Sequence, residues 1–391
     1  MKSAYALKEI CRLLFTLSLV ITCSATLADS RDQAKRIHDR LAASPPSEAV
    51  LSSMASKLDA GDYIGAAMQA MDDPGFYNIF LKNYITPWTN TDSTVYAPLN
   101  DYTATVIGII RDDDSFREIL TGDVTYVGTD GALPTYSQTN NDHYIALEDS
   151  GVNLGDPANL QRVTQSGLPG SQLNPTQTAG VLTSRASAEA YLSAGTNRRM
   201  IAFTAKYQLC EEMADLNDVT RQPDRIRQDV SRSPGGDSKI FLNSCVGCHS
   251  GMDPLAQAFA YYEWDANAGR IIYTNNVVQG KYLINATTFP LGYITKDDHW
   301  TNYWRAGKNA ALGWRTALGD GNGAKSLGNE LASSRAFSTC QVKKAFKAIC
   351  FRSPANPAER AEVERIADVF DANNYSMKRV FAEVANYCKG P

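Results

Sequence analysis

Five consecutive residues near the middle of the chain, Cys245-Val246-Gly247-Cys248-His249, hold the most chemistry of any stretch in the sequence. Two cysteines two residues apart, followed directly by a histidine, can carry a haem on two thioethers with the imidazole on the iron. Random placement of 8 Cys and 4 His along 391 residues would give this string only ~0.002 times. A zinc site would need a fourth ligand at matched spacing. A thioredoxin-like redox pair would need a βαβ setting, which does not surround the motif.

With His249 on the iron, its other ring nitrogen should donate to an acceptor that fixes the tautomer, and the Pro254 carbonyl is a candidate. The sixth iron position decides between electron transfer and ligand chemistry. The candidates for it are Met252, His299 and Met377. Met252 lies only three residues beyond His249, so packing beneath the haem is its expected role. Met377 has the alternative of a core position in the last helix, and His299 that of a surface histidine. His38 and His143 are expected to face solvent, and Met200 and Met213 to sit in the core. Phe259, Tyr261, Tyr262 and Trp264 form either an ordinary core or a wall around the porphyrin. Arg270 and Lys281 are either propionate partners or surface charges.

Haem of this kind is attached outside the cytoplasm, so the N-terminus matters. Lys2, Lys8 and Arg12 precede an apolar run from Leu13 to Ile21, and Thr26-Leu27-Ala28 supplies small residues for cleavage. Residues 1–28 therefore read as a cleaved signal peptide and the mature protein as periplasmic. An uncleaved anchor is the alternative, although the run is short of the ~20 residues that span a bilayer. No later stretch is apolar enough to be a transmembrane segment. A net charge of −4 and a pI near 5.7 argue against nucleic acid and leave no polybasic membrane patch. The expected partners are redox donor and acceptor proteins of the cell envelope.

The mature chain of about 360 residues is more than one core usually serves, which divides it into a helical N-terminal domain (29–177) and a haem domain (178–391). Ser47 caps a helix bearing Val50, Leu51, Met54 and Leu58, and further helices are expected over Pro74–Tyr84 and Tyr102–Ile110. The Gly-, Pro-, Asn- and Ser-rich stretch 130–180 reads as a long surface excursion. A helix is expected from Ala188 to Glu212, and two short strands within 271–284. Towards the end, Asn356, Pro357 and Glu359 compose a capping box.

Four cysteines remain beside the signal peptide and the haem pair: Cys210, Cys340, Cys350 and Cys388. Cys340 and Cys350 on one helix would be roughly 15 Å apart along its axis, too far for the Cα separation of about 7 Å that a disulfide tolerates. A helical hairpin brings the end of the last helix back to Cys350. The expected bonds are thus Cys350–Cys388 and Cys210–Cys340.

These segments resemble a known family. From residues 178–199 through the cysteine motif to 326–354, the chain is similar to the large bacterial cytochrome c-like proteins abundant in planctomycetes and found also in proteobacteria. Their pattern of CxxCH, two residues, then Met/Ile-Asp-Pro-Leu-Gly is matched by Cys245, Cys248, His249, Asp253, Pro254 and Leu255, with Ala256 in place of glycine. The resemblance implies an exported protein with one covalent haem c and its iron, and names no substrate. The combined expectation is a mainly α protein: a helical N-terminal domain and a cytochrome c-like haem domain with a small β-hairpin insertion. Its expected function is single-electron transfer. A peroxidase-like oxidoreductase with an open sixth position, and a partner-binding protein with a cytochrome relay, are the alternatives.

Overall fold

The computed structural model describes residues 29–390 apart from 91–96, 194 and 318. The expected signal peptide, 1–28, lies outside the described residues. The protein is mainly helical, and short polar residues set where its helices begin. Asp29, Ser47 and Asp62 accept from backbone N–H groups in the first turns of α1 (Ser30–Ala42), α2 (Glu48–Asp59) and α3 (Tyr63–Ala70). Each side chain satisfies a donor that the first turn leaves without an intrahelical partner. The segment Phe76–Leu81 winds as a π-helix and continues into a short α turn, Lys82–Ile85.

Helix α4 (Asp101–Arg111) is capped by Asn100 and buried along its whole length, as its Thr-, Ala- and Ile-rich composition allows. At Gly108 the ring of Tyr126 lies where a side chain would start, 2.2 Å from the position of an added Cβ. Gly108→Ala should therefore lower stability by about 1–3 kcal/mol through overpacking, measured by denaturant unfolding.

The stretch 130–180 is more ordered than expected. Strands β1 (Thr125–Gly128) and β2 (Leu160–Val163) pair antiparallel across it, and it contains α5 (Asp142–Asp149). Its turn residues mark connections between elements rather than one long loop. His143 is buried there: Nε2 accepts from the Gly128 N–H at 2.9 Å, and Nδ1 lies 2.7 Å from the Pro134 carbonyl. His38 is buried too, with Nδ1 at 2.9 Å from the Ser44 carbonyl. Neither faces solvent, because each lies on a helix face turned towards the core.

The helix expected over Ala188–Glu212 is broken. Helix α6 (Arg185–Tyr191) is separated from α7 (Arg198–Thr204) by a turn in which Gly195 and Asn197 take positive φ. That conformation cannot continue a right-handed helix. A π-turn, Ala205–Leu209, then leads to Cys210.

The hairpin near the cysteine motif lies earlier than expected. Strand β3 (Tyr262–Asp265) pairs antiparallel with β4 (Arg270–Tyr273), and residues 280–283 form a 3₁₀ turn instead of a strand. Strands β5 (His299–Thr301) and β6 (Asp320–Asn322) make a third small pair.

The C-terminal bundle follows its sequence pattern. Helix α9 (Gly323–Ala332) precedes α10 (Arg335–Cys350), α11 (Pro357–Ala372) and α12 (Met377–Tyr387). Asn356 accepts from the Glu359 N–H at 2.9 Å, and the Glu359 carboxylate accepts in return from the Ala355 N–H at 2.6 Å. Both expected disulfides are present, Cys210–Cys340 with Cα atoms 5.2 Å apart and Cys350–Cys388 at 5.6 Å.

One continuous apolar cluster runs from Ala34 to Ala385, so helices assigned to both expected domains share it. Helix α12 packs against α1, α3, α4, α10 and α11. Arg36 and Arg40 of α1 donate to the carbonyls of Lys389 and Cys388. Among the described residues, no helix is long and apolar enough to cross a membrane.

Candidate functional site

The cysteine motif sits where a π-turn, Phe241–Cys245, passes into α8 (Val246–Ala256). Such a bulge lengthens one helical turn and often marks a functional position. Cys245 and Cys248 are half-buried and carry no disulfide. The Cys248 thiol donates to the Met213 carbonyl at 3.2 Å, and burial pushes it up from its ordinary range.

Two close approaches hold this helix. A Cβ at Gly247 would fall 1.9 Å from the Asn217 Oδ1, and the Asp218 N–H donates to the Gly247 carbonyl. A Cβ at Gly251 would fall 2.1 Å from the Trp304 indole nitrogen. The rigid Trp304 ring requires glycine at 251, whereas at 247 the Asn217 side chain would have to turn away. Met252, Leu255 and Ala256 face the main core.

His249 is placed by the residue one turn later. Its Nδ1 lies 2.9 Å from the Asp253 Oδ1, so the acceptor is a carboxylate and not the Pro254 carbonyl expected from the sequence. The i, i+4 spacing puts both side chains on one face of α8. Nε2 points to no hydrogen-bond partner among the described residues. The Phe241 ring stands 5.8 Å from the imidazole.

Asp253 is fully buried and belongs to a larger network. Arg198, at the start of α7, donates from Nε to Asp253 Oδ1 at 2.6 Å and from Nη2 to Oδ2 at 3.1 Å. The same guanidinium holds Asp229, from Nη2 at 2.7 Å and Nη1 at 3.1 Å. The Arg227 N–H adds a third donor to Asp253, at 3.3 Å. Burial alone would push the Asp253 carboxyl up. The Arg198 guanidinium and the bond from His249 outweigh it and hold the group well below the usual carboxylate range. For Arg198 burial works downwards, and Asp253 and Asp229 reverse it.

Arg198 thus neutralises two buried carboxylates. Arg198→Met should lower stability by about 3–5 kcal/mol, because it strands buried charge without a partner. Denaturant unfolding of the variant beside the parent chain checks this.

Arg227 lies next to this network and is completely buried. Its Nη2 donates to the Thr196 carbonyl at 2.8 Å, and the guanidinium stacks 4.3 Å over the Tyr282 ring. Nη1 has no hydrogen-bond partner among the described residues. Lys281 donates to Asn197 at 3.0 Å and lies 3.7 Å from Glu263. Burial draws its amine downwards, against the pull of Glu263. Arg270 is on β4, with a buried Nε that no described residue accepts.

Apolar side chains surround the motif unevenly. Ile226, Val230, Phe241 and Phe289 form a small buried cluster against Cys245 and Val246. Val219, Ile240, Leu242, Ile284, Leu291 and Ile294 are exposed, and of these Val219 lies beside Gly247 of the motif. Phe259, Tyr261 and Tyr262 are buried in the core, and Trp264 packs beneath Arg185.

The sixth-position candidates scatter. Met252 is buried in the core on the same helix as His249. Met377 is buried in the C-terminal bundle at the start of α12. His299 is half-buried on β5, a strand that packs against α8, and its N–H donates to Asp297. Neither a family model, nor a curated protein, nor a solved structure matches this chain.

Sequence reasoning named Cys245, Cys248 and His249 and missed the charged support beneath them. The His249–Asp253 spacing was the available signal, since four residues on a helix bring two side chains together. Arg198, Asp229 and Arg227 arrive from distant segments and leave no local trace.

Proposed function

We propose that the protein is an exported c-type cytochrome that moves single electrons in the periplasm. The carrying observation is the donor set at one helix end: two half-buried thiols free of disulfide and a histidine whose Nε2 has no hydrogen-bond partner among the described residues. The residues fit a haem. Cys245 and Cys248 would form the thioethers, and His249 would ligate the iron. The exposed Val219, Ile240, Leu242, Ile284, Leu291 and Ile294 offer apolar surface of the kind a porphyrin covers. Arg227, buried with Nη1 unpartnered among the described residues, is the cation best suited to a propionate. When bound, the haem supplies a one-electron couple. The chain's residues fix the imidazole, keep water from the buried side and present a docking surface to donor and acceptor proteins. We also propose membership of the cytochrome c-like family resembled at Cys245, Cys248, His249, Asp253, Pro254 and Leu255. Of the sixth-ligand candidates outside α8, His299 is on a strand packed against it and Met377 is in the C-terminal bundle.

A haem oxidoreductase with an open sixth position is the second reading. The carboxylate acceptor at His249 favours it, because a more basic imidazole supports oxidised iron. Optical spectra of the purified mature protein, made with the haem-attachment machinery, separate the two. A low-spin spectrum unchanged by carbon monoxide or cyanide supports the carrier. A high-spin spectrum that shifts with either supports the enzyme, and absence of covalent haem removes both.

A further inference from the structure

The four groups beneath the motif form a chain: His249, Asp253, Arg198 and Asp229. Each link is a charge-assisted hydrogen bond of 2.6–2.9 Å, and both carboxylates are fully buried. Two acceptors can orient a proximal histidine, a neutral carbonyl or a charged carboxylate, and they differ in effect. A carboxylate draws the Nδ1 proton and leaves more electron density on Nε2. Arg198 fixes Asp253 by two bonds, so the acceptor cannot swing away when His249 takes up its ligand role.

We propose that Asp253 is the positioning residue of the iron site, which orients His249 through Nδ1 and strengthens Nε2 as a donor, so that the reduction potential is set low. The inference rests on the haem reading above. Asp229 is the internal control. It shares Arg198 with Asp253 and carries the same charge, but its carboxylate faces Arg198 and Arg227, not His249. A charge felt only through space would act from either position. A bond to the ligand acts from Asp253 alone.

The test uses haem-loaded Asp253→Asn and Asp229→Asn, each first weighed by mass spectrometry to establish covalent haem. In Asp253→Asn the ratio of reduced to oxidised haem at fixed solution potential should rise about tenfold, as a weaker imidazole donor favours the reduced iron. That corresponds to a potential higher by about 59 mV. Asp229→Asn should shift the ratio by less than about threefold. The ferric g-values should spread further in the first variant only, as the imidazole loses basicity. Equal shifts in both variants, or none in Asp253→Asn, overturn the proposal while leaving covalent haem intact. A parent protein without covalent haem instead fails the reading on which the proposal stands. Should Asp253→Asn not fold, the unaltered protein still decides. With nitrogen-labelled histidine, the reduced, carbon-monoxide-treated form should show a downfield Nδ1 proton on His249. A proton exchanging at the solvent rate at that atom, or none, overturns it.

Discussion

On the proposed haem reading, Cys245→Ser with Cys248→Ser should yield a folded protein that carries no covalent haem. Mass spectrometry of the denatured chain reads the apoprotein mass, and the haem-stained band on a denaturing gel disappears. Thioether bonds need a thiol, and a hydroxyl at the same place offers no equivalent chemistry. The loss is therefore complete rather than graded, whereas each single variant retains one attachment. The fold should survive because both side chains lie at the half-exposed start of α8, away from the main apolar cluster. Met252, Leu255 and Ala256, which anchor that helix to the core, are untouched. If the double variant keeps its haem through denaturation, the proposed site is wrong.

Removing the Cys210–Cys340 bond is the second large effect. It closes a loop with a sequence separation of 130 residues, against 38 for Cys350–Cys388. Constraint of the unfolded chain grows with the logarithm of loop length. The longer bond contributes about 5 kcal/mol and the shorter about 4 kcal/mol on that model. Cys210→Ala with Cys340→Ala should thus cost more than Cys350→Ala with Cys388→Ala, by about 1 kcal/mol at equilibrium. Urea unfolding of both pairs, under oxidising conditions, gives the comparison. The longer loop contains the whole cysteine motif together with Asp229 and Asp253, while Arg198 lies just before it. Its loss should also broaden the unfolding of that region, which hydrogen exchange at α8 reports.

Much of the bundle was legible because its signals are local. Ser47 and Asn356 cap helices through side-chain bonds that span three residues. The disulfide pairing followed from helical rise, which keeps Cys340 from Cys350 on α10, and from the hairpin that returns the last helix to Cys350. The broken helix at Leu192–Asn197 was hidden, because apolar spacing on either side continues across it. The early position of β3 was hidden as well: Tyr262 and Trp264 read equally as an aromatic core. In the site, residue types within five positions were legible, and the partners of His249 were divided. Asp253 lay within reach of a helical-spacing rule. Arg198 and Asp229 are brought to it by turns around Asn197 and Arg227, and tertiary placement leaves no periodicity to find.

The bonds from Arg36 and Arg40 to the carbonyls of Lys389 and Cys388 bear on the order of assembly. Helix α1 is the earliest described element to emerge, yet its polar partners are among the last residues made. Helix α1 meets α2 and α3 soon after it is made, and only its seam with the C-terminal segment waits for some 350 residues of chain. The cysteine motif is made well before that closure. An attachment enzyme would then meet Cys245 and Cys248 on a molecule still open at its seam, and the last helix would lock the shell afterwards.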